Sequence, residues 1–408
     1  MSAPGRTTGM PGSLGGGVNT VRPGRTAMPS VDVGLIVAVS ALVLFGLLMV
    51  YSASIALADG PRYESYGRFY FVGRHAAFIV IGLLAALFTA SVPMRIWQKV
   101  SVPLFVLALL LLMVVLVPGI GREVNGARRW LSLGPVNFQP SELMKAAILL
   151  YAADYVVRKQ AHLQGFVRGF VRGFTPMALA LMLVGVLLLL EPDLGAFIVI
   201  GAIAVGILFI GGINLKLFTL LLGGVMSSFL MLIWLSPWRR ERLFVYLDPW
   251  NPDNAYGSAY QLSHSLIALG RGEWFGVGLG ASIEKLHYLP EAHTDFIVAV
   301  IGEELGLVGV LCLIAVFVYI VMRGFDIARQ AMVLERVFDG LVAQGVALWM
   351  GVQTFINIGV CLGLLPTKGL TLPLVSYGGS GIVMNLVAIA LLLRVDYETR
   401  CMMRGKRR

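Results

Sequence analysis

The segment YLPEAHTDFIVAVIGEELG, residues 288–306, runs a polar cluster straight into a long apolar stretch. Asp295 stands at the mouth of that stretch, and Glu303 and Glu304 follow two turns deeper, about 12 Å along a helix. A carboxylate at that point has two readings. It is a general base where water meets an apolar medium, or it stabilises the start of the helix, whose N-terminal dipole would keep Asp295 ionised. His293 is a second titrating group, expected at the surface, while Glu303 and Glu304 are expected to pair internally.

Three other stretches set polar groups against apolar runs. In FQPSELMKAAILL, Pro140 opens a helix and the i, i+3 spacing puts Glu142 and Lys145 on one face. That ion pair either neutralises its own burial or works in a site. In LEPDLGAF, Pro192 ends one helix and Asp193, close to Glu191, caps the next. In LLPTKGLTLPLVSYGGSGIV, backbone N–H groups around Ser376, Gly378 and Gly379, with Lys368 alongside, suit a phosphate cradle; Lys368 snorkelling to the interface is the alternative. The segment SPWRRERLF adds Arg239, Arg240 and Arg242. Neither a Ser-His-Asp order, nor metal-ligand spacing, nor a Walker loop occurs, which argues against ATP-driven work. Cys312, Cys361 and Cys401 form no C-x-x-C pair and imply neither disulfide nor metal site.

The elements that position these groups must lie in a membrane. Of 408 residues 58% are hydrophobic and 13% charged, more apolar surface than a soluble domain can hide. With roughly 20 apolar residues needed per crossing, ten spans are expected, near 31–54, 72–92, 102–118, 140–157, 174–190, 194–211, 215–236, 296–322, 340–363 and 380–396. The expected architecture is therefore an all-α polytopic membrane protein. Placing both termini in the cytoplasm leaves most of the 32 Lys and Arg inside, as the positive-inside rule requires, with Arg239, Arg240 and Arg242 as the outer exception. This orientation puts the four polar stretches on the outer side, together with a large loop over 238–295 between spans seven and eight. Residues 1–30 read as a disordered cytoplasmic tail, 31–400 as one transmembrane domain and 401–408 as a basic tail. The repeat GFVRGFVRGF, 165–174, suits an interfacial amphipathic helix. On spacing alone, a transporter and an enzyme acting on a lipid-linked substrate both remain open.

The motifs GARRWLSLGPVNFQPSELMK, EPDLGAF, YQLSHSLIALGRGEWFGVGLG, LPEAHTDFIVAVIGEELG and PTKGLTLPLVSYGGSG occur in this order. Over residues 31–400 the chain thus resembles the SEDS family (shape, elongation, division and sporulation), and its division member more than its elongation member. The resemblance implies a peptidoglycan glycosyltransferase of the bacterial inner membrane, at the division septum, that polymerises lipid II. It implies that Asp295 is catalytic, and that Glu142, Lys145 and Asp193 match family site positions, with Glu191 where glutamine is commoner. It also implies a class B penicillin-binding protein and other division proteins as partners. The leaving pyrophosphate needs positive charge, for which Lys145, Lys368, Arg239, Arg240 and Arg242 are candidates, or a divalent cation for which no ligand cluster is evident. Lipid II translocation and a non-catalytic division scaffold are the rival functions.

Overall fold

The computed structural model describes residues 31–59, 67–124, 126–134, 136–163, 169–236, 240, 244–255, 257 and 259–405. The expected N-terminal tail, Arg239, Arg242 and residues 406–408 lie outside them. Helices α1 (Val33–Ser54), α2 (Tyr70–Ser91) and α3 (Met94–Val115) come first. Strands β1 (Gly121–Val124), β2 (Ala127–Leu133) and β3 (Val136–Phe138) form an antiparallel sheet in that order. Then follow α4 (Pro140–Leu163), α5 (Thr175–Leu190), α6 (Leu194–Ile210) and α7 (Leu215–Leu235). The long loop holds α8 (Pro252–Ala255) and α9 (Tyr260–Gly272), and α10 (Ile297–Val333), α11 (Val337–Cys361) and α12 (Gly379–Met403) complete the chain.

Among the described residues a helix occupies each of the ten expected places. Six of them, α1, α2, α3, α10, α11 and α12, are long and apolar enough to cross a membrane. The protein is a mainly helical, multi-pass membrane protein. Helices α5, α6 and α7 are apolar but shorter or partly described, and α4 is less apolar. Exposure separates the centre of the bundle from its rim. Helices α11 and α12 are buried along 72% of their most apolar stretch, against 28% for α2 and α3, whose outward Leu and Val side chains face lipid.

Several expectations change. The sheet over 121–138 makes the chain other than purely helical. Helix α3 begins at Met94 instead of 102, because Pro103 is accommodated inside it and Arg95, Gln98 and Lys99 prolong it beyond the apolar run. Helix α12 continues to Met403, past the expected boundary of the basic tail. In the 165–174 repeat, Phe166 and Arg168 lie outside the described residues, and Gly169–Phe174 is a π-helical turn leading into α5 instead of an interfacial α-helix.

Helix α10 is two helices. Gly306, at φ 68°, breaks it, and the 27 residues beyond, about 40 Å of helix, suffice to span a bilayer alone. The backbone groups freed by the break are paired by the preceding loop. Val277 and Gly278 donate to the carbonyls of Glu303 and Glu304 at 2.9 and 3.1 Å, while Leu307 and Val308 donate to those of Glu273 and Trp274 at 2.9 and 3.1 Å. In lipid, irregular backbone persists only when satisfied in this way. The two segments touch at Gly276 and Gly306, where a Cβ on Gly306 would lie 2.4 Å from the Gly276 nitrogen.

At the end assigned to the cytoplasm, two ion networks join helix termini. Asp32 caps α1 through Leu35 N at 2.9 Å and pairs with Arg323 and, at 3.1 Å, with Arg400. Arg336 pairs with Asp339 and Glu398, and Glu398 with Arg394 at 2.7 Å. Gly306→Ala is expected to lower stability by more than about 2 kcal/mol, from positive φ and backbone overlap together, read as a drop in unfolding midpoint in detergent. An unchanged midpoint would contradict the close crossing.

Candidate active site

Four residues on one side of α11 organise the opposite end of the bundle: Trp349, Gln353, Asn357 and Cys361, each four positions apart. Gln353 accepts from Lys145 Nζ at 3.1 Å and from Trp349 Nε1 at 2.8 Å, and its amide donates to Thr371 O at 2.9 Å. One turn on, the Asn357 amide donates to Asp295 O at 2.8 Å and Leu370 O at 2.6 Å. Cys361 Sγ lies 3.5 Å from Asp295 O. One helix face thus holds two separate loops together, the one carrying Asp295 and the one carrying Lys368. Tyr377 N adds a bond to His293 O at 3.0 Å.

The expected Glu142–Lys145 pair is present, Nζ to Oε1 at 2.7 Å, with Lys145 wholly buried. Its ammonium also lies 5.7 Å from the centre of the Trp349 ring. Lys145 is therefore directed into the wall beneath the 370–371 loop. Glu142 faces the first turn of α12, since a Cβ on Gly381 would lie 3.8 Å from its carboxyl carbon. Asp193 caps α6 as expected, accepting from Ala196 N at 3.1 Å. Its second oxygen accepts from Gln139 Nε2 and Ser141 Oγ, both at 3.0 Å, which ties the α5–α6 turn to the start of α4.

Asp295 precedes α10, whose first turn has no side-chain cap. Burial pushes its carboxyl up to about 7; Glu291 and Asp193 add to this and Arg129 opposes it. The expected stabilisation of its ionised form by the helix start is thus outweighed by desolvation. A group poised near neutrality is what general-base catalysis needs. Gly369, next to the half-exposed Lys368, leaves room beside it, for a Cβ there would lie 3.2 Å from Asp295 Oδ2. His293 is buried instead of superficial, with its ring centre 5.1 Å from Phe71 and 5.3 Å from Tyr377.

The residues expected to cradle a phosphate have these local contacts. Ser376 Oγ accepts from Leu372 N at 2.8 Å and closes its own loop. A Cβ on Gly379 would press on the Phe78 ring at 3.0 Å, so this glycine permits helix packing; Gly378 precedes α12 in extended backbone. Arg240 lies with its guanidinium 5.7 Å over the Trp234 ring. Among the described residues no group of three or more His, Cys, Asp or Glu is arranged to hold a metal ion.

Sequence reasoning passed over Arg129, on β2. Its Nε donates to Glu191 O at 3.0 Å and a terminal nitrogen to Pro192 O, and its charge acts on Asp295. The signal was an outer-side arginine inside a quoted motif. It also passed over Gln353 and Asn357, two amides at i, i+4 within a predominantly apolar helix.

Fold and site together define a membrane-embedded protein with a semi-buried carboxylate centre at one end of its bundle. A family model described as cell cycle protein, covering FtsW, RodA and SpoVE, matches residues 33–401. The chain belongs to this SEDS family. It is 59% identical over 394 residues to a probable peptidoglycan glycosyltransferase FtsW of Burkholderia thailandensis, covering 97% of this chain and 84% of that relative. It is 58% identical over 379 residues to the protein of the same name from Aromatoleum aromaticum, covering 93% and 91%. Among solved structures it resembles a chain from a study of polymerization and crosslinking by a peptidoglycan synthase complex, with TM-score 0.71, 32% identity and coverage of 91% and 99%. It also resembles the rod shape determining protein RodA of Thermus thermophilus, with TM-score 0.64, 31% identity and coverage of 90% and 96%.

Glu191 yields a prediction. It is wholly buried with neither carboxyl oxygen bonded, and burial, then Asp193, raise it to about 9 against the pull of Arg129. The folded protein keeps this proton up to about 9, whereas the unfolded chain releases it near 4.5. Stability therefore falls as pH rises through that window. Glu191→Gln is expected to raise the unfolding midpoint at pH 7–8, by an increment of order 3 kcal/mol, with the gain vanishing toward pH 4.5. A difference that does not vary with pH would show that Glu191 is not held neutral.

Proposed function

We infer that this protein is a peptidoglycan glycosyltransferase that extends glycan strands from lipid II at the outer face of the bacterial inner membrane, in septal wall synthesis. The observation that carries the reading is Asp295, a carboxyl raised to about 7 and held by its own carbonyl against α11, in a chain 59% identical to a relative named for this activity.

In the proposed step, Asp295 accepts the proton of the acceptor sugar's 4-hydroxyl. The oxygen forms a bond to the donor's anomeric carbon, and the bond from that carbon to the pyrophosphate oxygen breaks, its electron pair leaving with the lipid pyrophosphate. One base and one displacement invert the anomeric centre. A positioned base contributes about 10²–10⁴-fold. The leaving group's charge falls to Arg129, anchored on two carbonyls and with further donors to spare, and to Lys368. Lys145, engaged by Glu142 and Gln353, acts by holding the wall. An apolar groove of about 460 Å³ between α5, α6 and α7 reaches Leu189 and Phe197, either side of the turn with Glu191 and Asp193, and suits a polyprenyl chain.

The synthase complex named above supports a crosslinking partner, here a class B penicillin-binding protein. Purified protein with that partner and labelled lipid II is expected to give glycan polymer, and Asp295→Asn none. Arg129→Ala is expected to slow turnover about 10²-fold, the usual loss when one charge-stabilising donor is removed. Polymer from the Asp295→Asn protein would remove the base assignment. Lipid II binding without polymer from the wild type would favour translocation or scaffolding.

A further inference from the structure

The loop that carries Asp295 is fastened at both flanks by carboxylates that glycosyl transfer does not use. Lys285, ten residues before Asp295, pairs with Glu304, nine residues after it, Nζ to Oε1 at 2.7 Å. Both are buried. All three donors of the ammonium are engaged, the other two by Gly280 O at 2.7 Å and Ser52 Oγ at 2.9 Å. Ser52, on α1, itself donates to Glu304 Oε1 at 2.6 Å. The neighbouring Glu303 receives Ser282 Oγ at 2.5 Å, Ile283 N at 2.9 Å and Glu284 N at 3.3 Å, with Arg271 at 3.7 Å. Glu284 is held in turn by His264 on α9 at 2.6 Å.

We propose that the Lys285–Glu304–Ser52 cluster is the positioning device for Asp295, closing the loop around it and fixing that loop to α1. The proposal rests on Asp295 being the base. An apolar contact would close the same loop, and buried ion pairs contribute little net stability. What the ionic cluster adds is direction: three donors on one nitrogen, each with a fixed acceptor, set the loop's path where an apolar contact would let it slide. Asp295 lies near the middle of the closed segment, with Asn357 and Tyr377 holding its central part. A displacement of about 1 Å at a reacting group is worth up to about 10²-fold in rate.

The test replaces both charges by near-isosteric neutral groups, Lys285→Met with Glu304→Gln, so that no unpaired charge stays buried. Wild type and Asp295→Ala run in parallel with labelled lipid II and the transpeptidase partner. The double variant is expected to keep its unfolding midpoint and its KM for lipid II but lose at least tenfold in kcat. The rising limb of its pH–rate profile is expected to move toward the ordinary carboxylate range as the loop admits water to Asp295, with Glu291, Asp193 and Arg129 left around it. Ser52→Ala, which keeps the ion pair, is expected to show a smaller kcat loss. Full kcat per folded molecule in the double variant, with or without a lowered midpoint, would overturn the proposal and leave the polymerase reading intact. Loss of folding in the double variant passes the decision to Ser52→Ala, where unchanged kcat overturns the proposal. A wild type without polymerase activity would instead overturn the reading of Asp295.

Discussion

A buried amide on α11 governs the geometry of this end of the protein. Asn357 has one side-chain nitrogen, and it bridges the carbonyl of Asp295 to the carbonyl of Leu370. Both acceptors belong to loops without regular structure, in surroundings where an unpaired peptide oxygen costs about 1–3 kcal/mol. Neither loop can leave without orphaning its carbonyl. Gln353, one turn earlier, does the same for Thr371 and passes the constraint to Lys145 and Glu142 on α4. Asp295, the wall and the loop bearing Lys368 are in this way referred to the most deeply buried part of the bundle.

The second constraint is electrostatic. Glu191, Asp193, Glu291 and Asp295 stand near one another with Arg129 the cation acting on Glu191 and Asp295. Desolvation resolves the crowding by keeping protons on the more buried members. Glu191 therefore behaves as a neutral acid, and the formal charge it carries in the sequence is not expressed at neutral pH. Asp193 is spent on capping α6 and on Gln139 and Ser141. Asp295 is left as the carboxylate that titrates near neutrality, next to Gly369, whose missing side chain leaves its Oδ2 uncrowded.

The sequence made the helices legible because hydropathy alone specifies where a chain enters lipid, and the ion pair of Glu142 with Lys145 followed from i, i+3 spacing. Capping by Asp193 was legible from residue type and the preceding proline. What hydropathy could not carry were features made by contact between distant segments. The break at Gly306 lies inside an apolar run and is intelligible only once Gly276 crosses it. The burial of His293 depends on Phe71 and Tyr377, 222 residues before it and 84 after it along the chain. The strands over 121–138 show no clean alternation of apolar and polar residues: two are short, and the seven-residue β2 sets Arg128 beside Arg129 and Trp130 beside Leu131. The ionisation of Asp295 is not legible in sequence, because a helix start is visible there whereas the desolvation that outweighs it is not.

The pH dependence of glycan polymerisation at saturating lipid II, measured from pH 5 to 9 on the purified protein with the proposed transpeptidase partner, tests the central claim most directly. A base held near 7 by burial must lose its proton before it can act, so the rate should rise with pH and reach half its plateau at about 7. A rate already at its plateau at pH 5–6 would mean that Asp295 titrates as an ordinary carboxylate or is not the base, and would contradict the account.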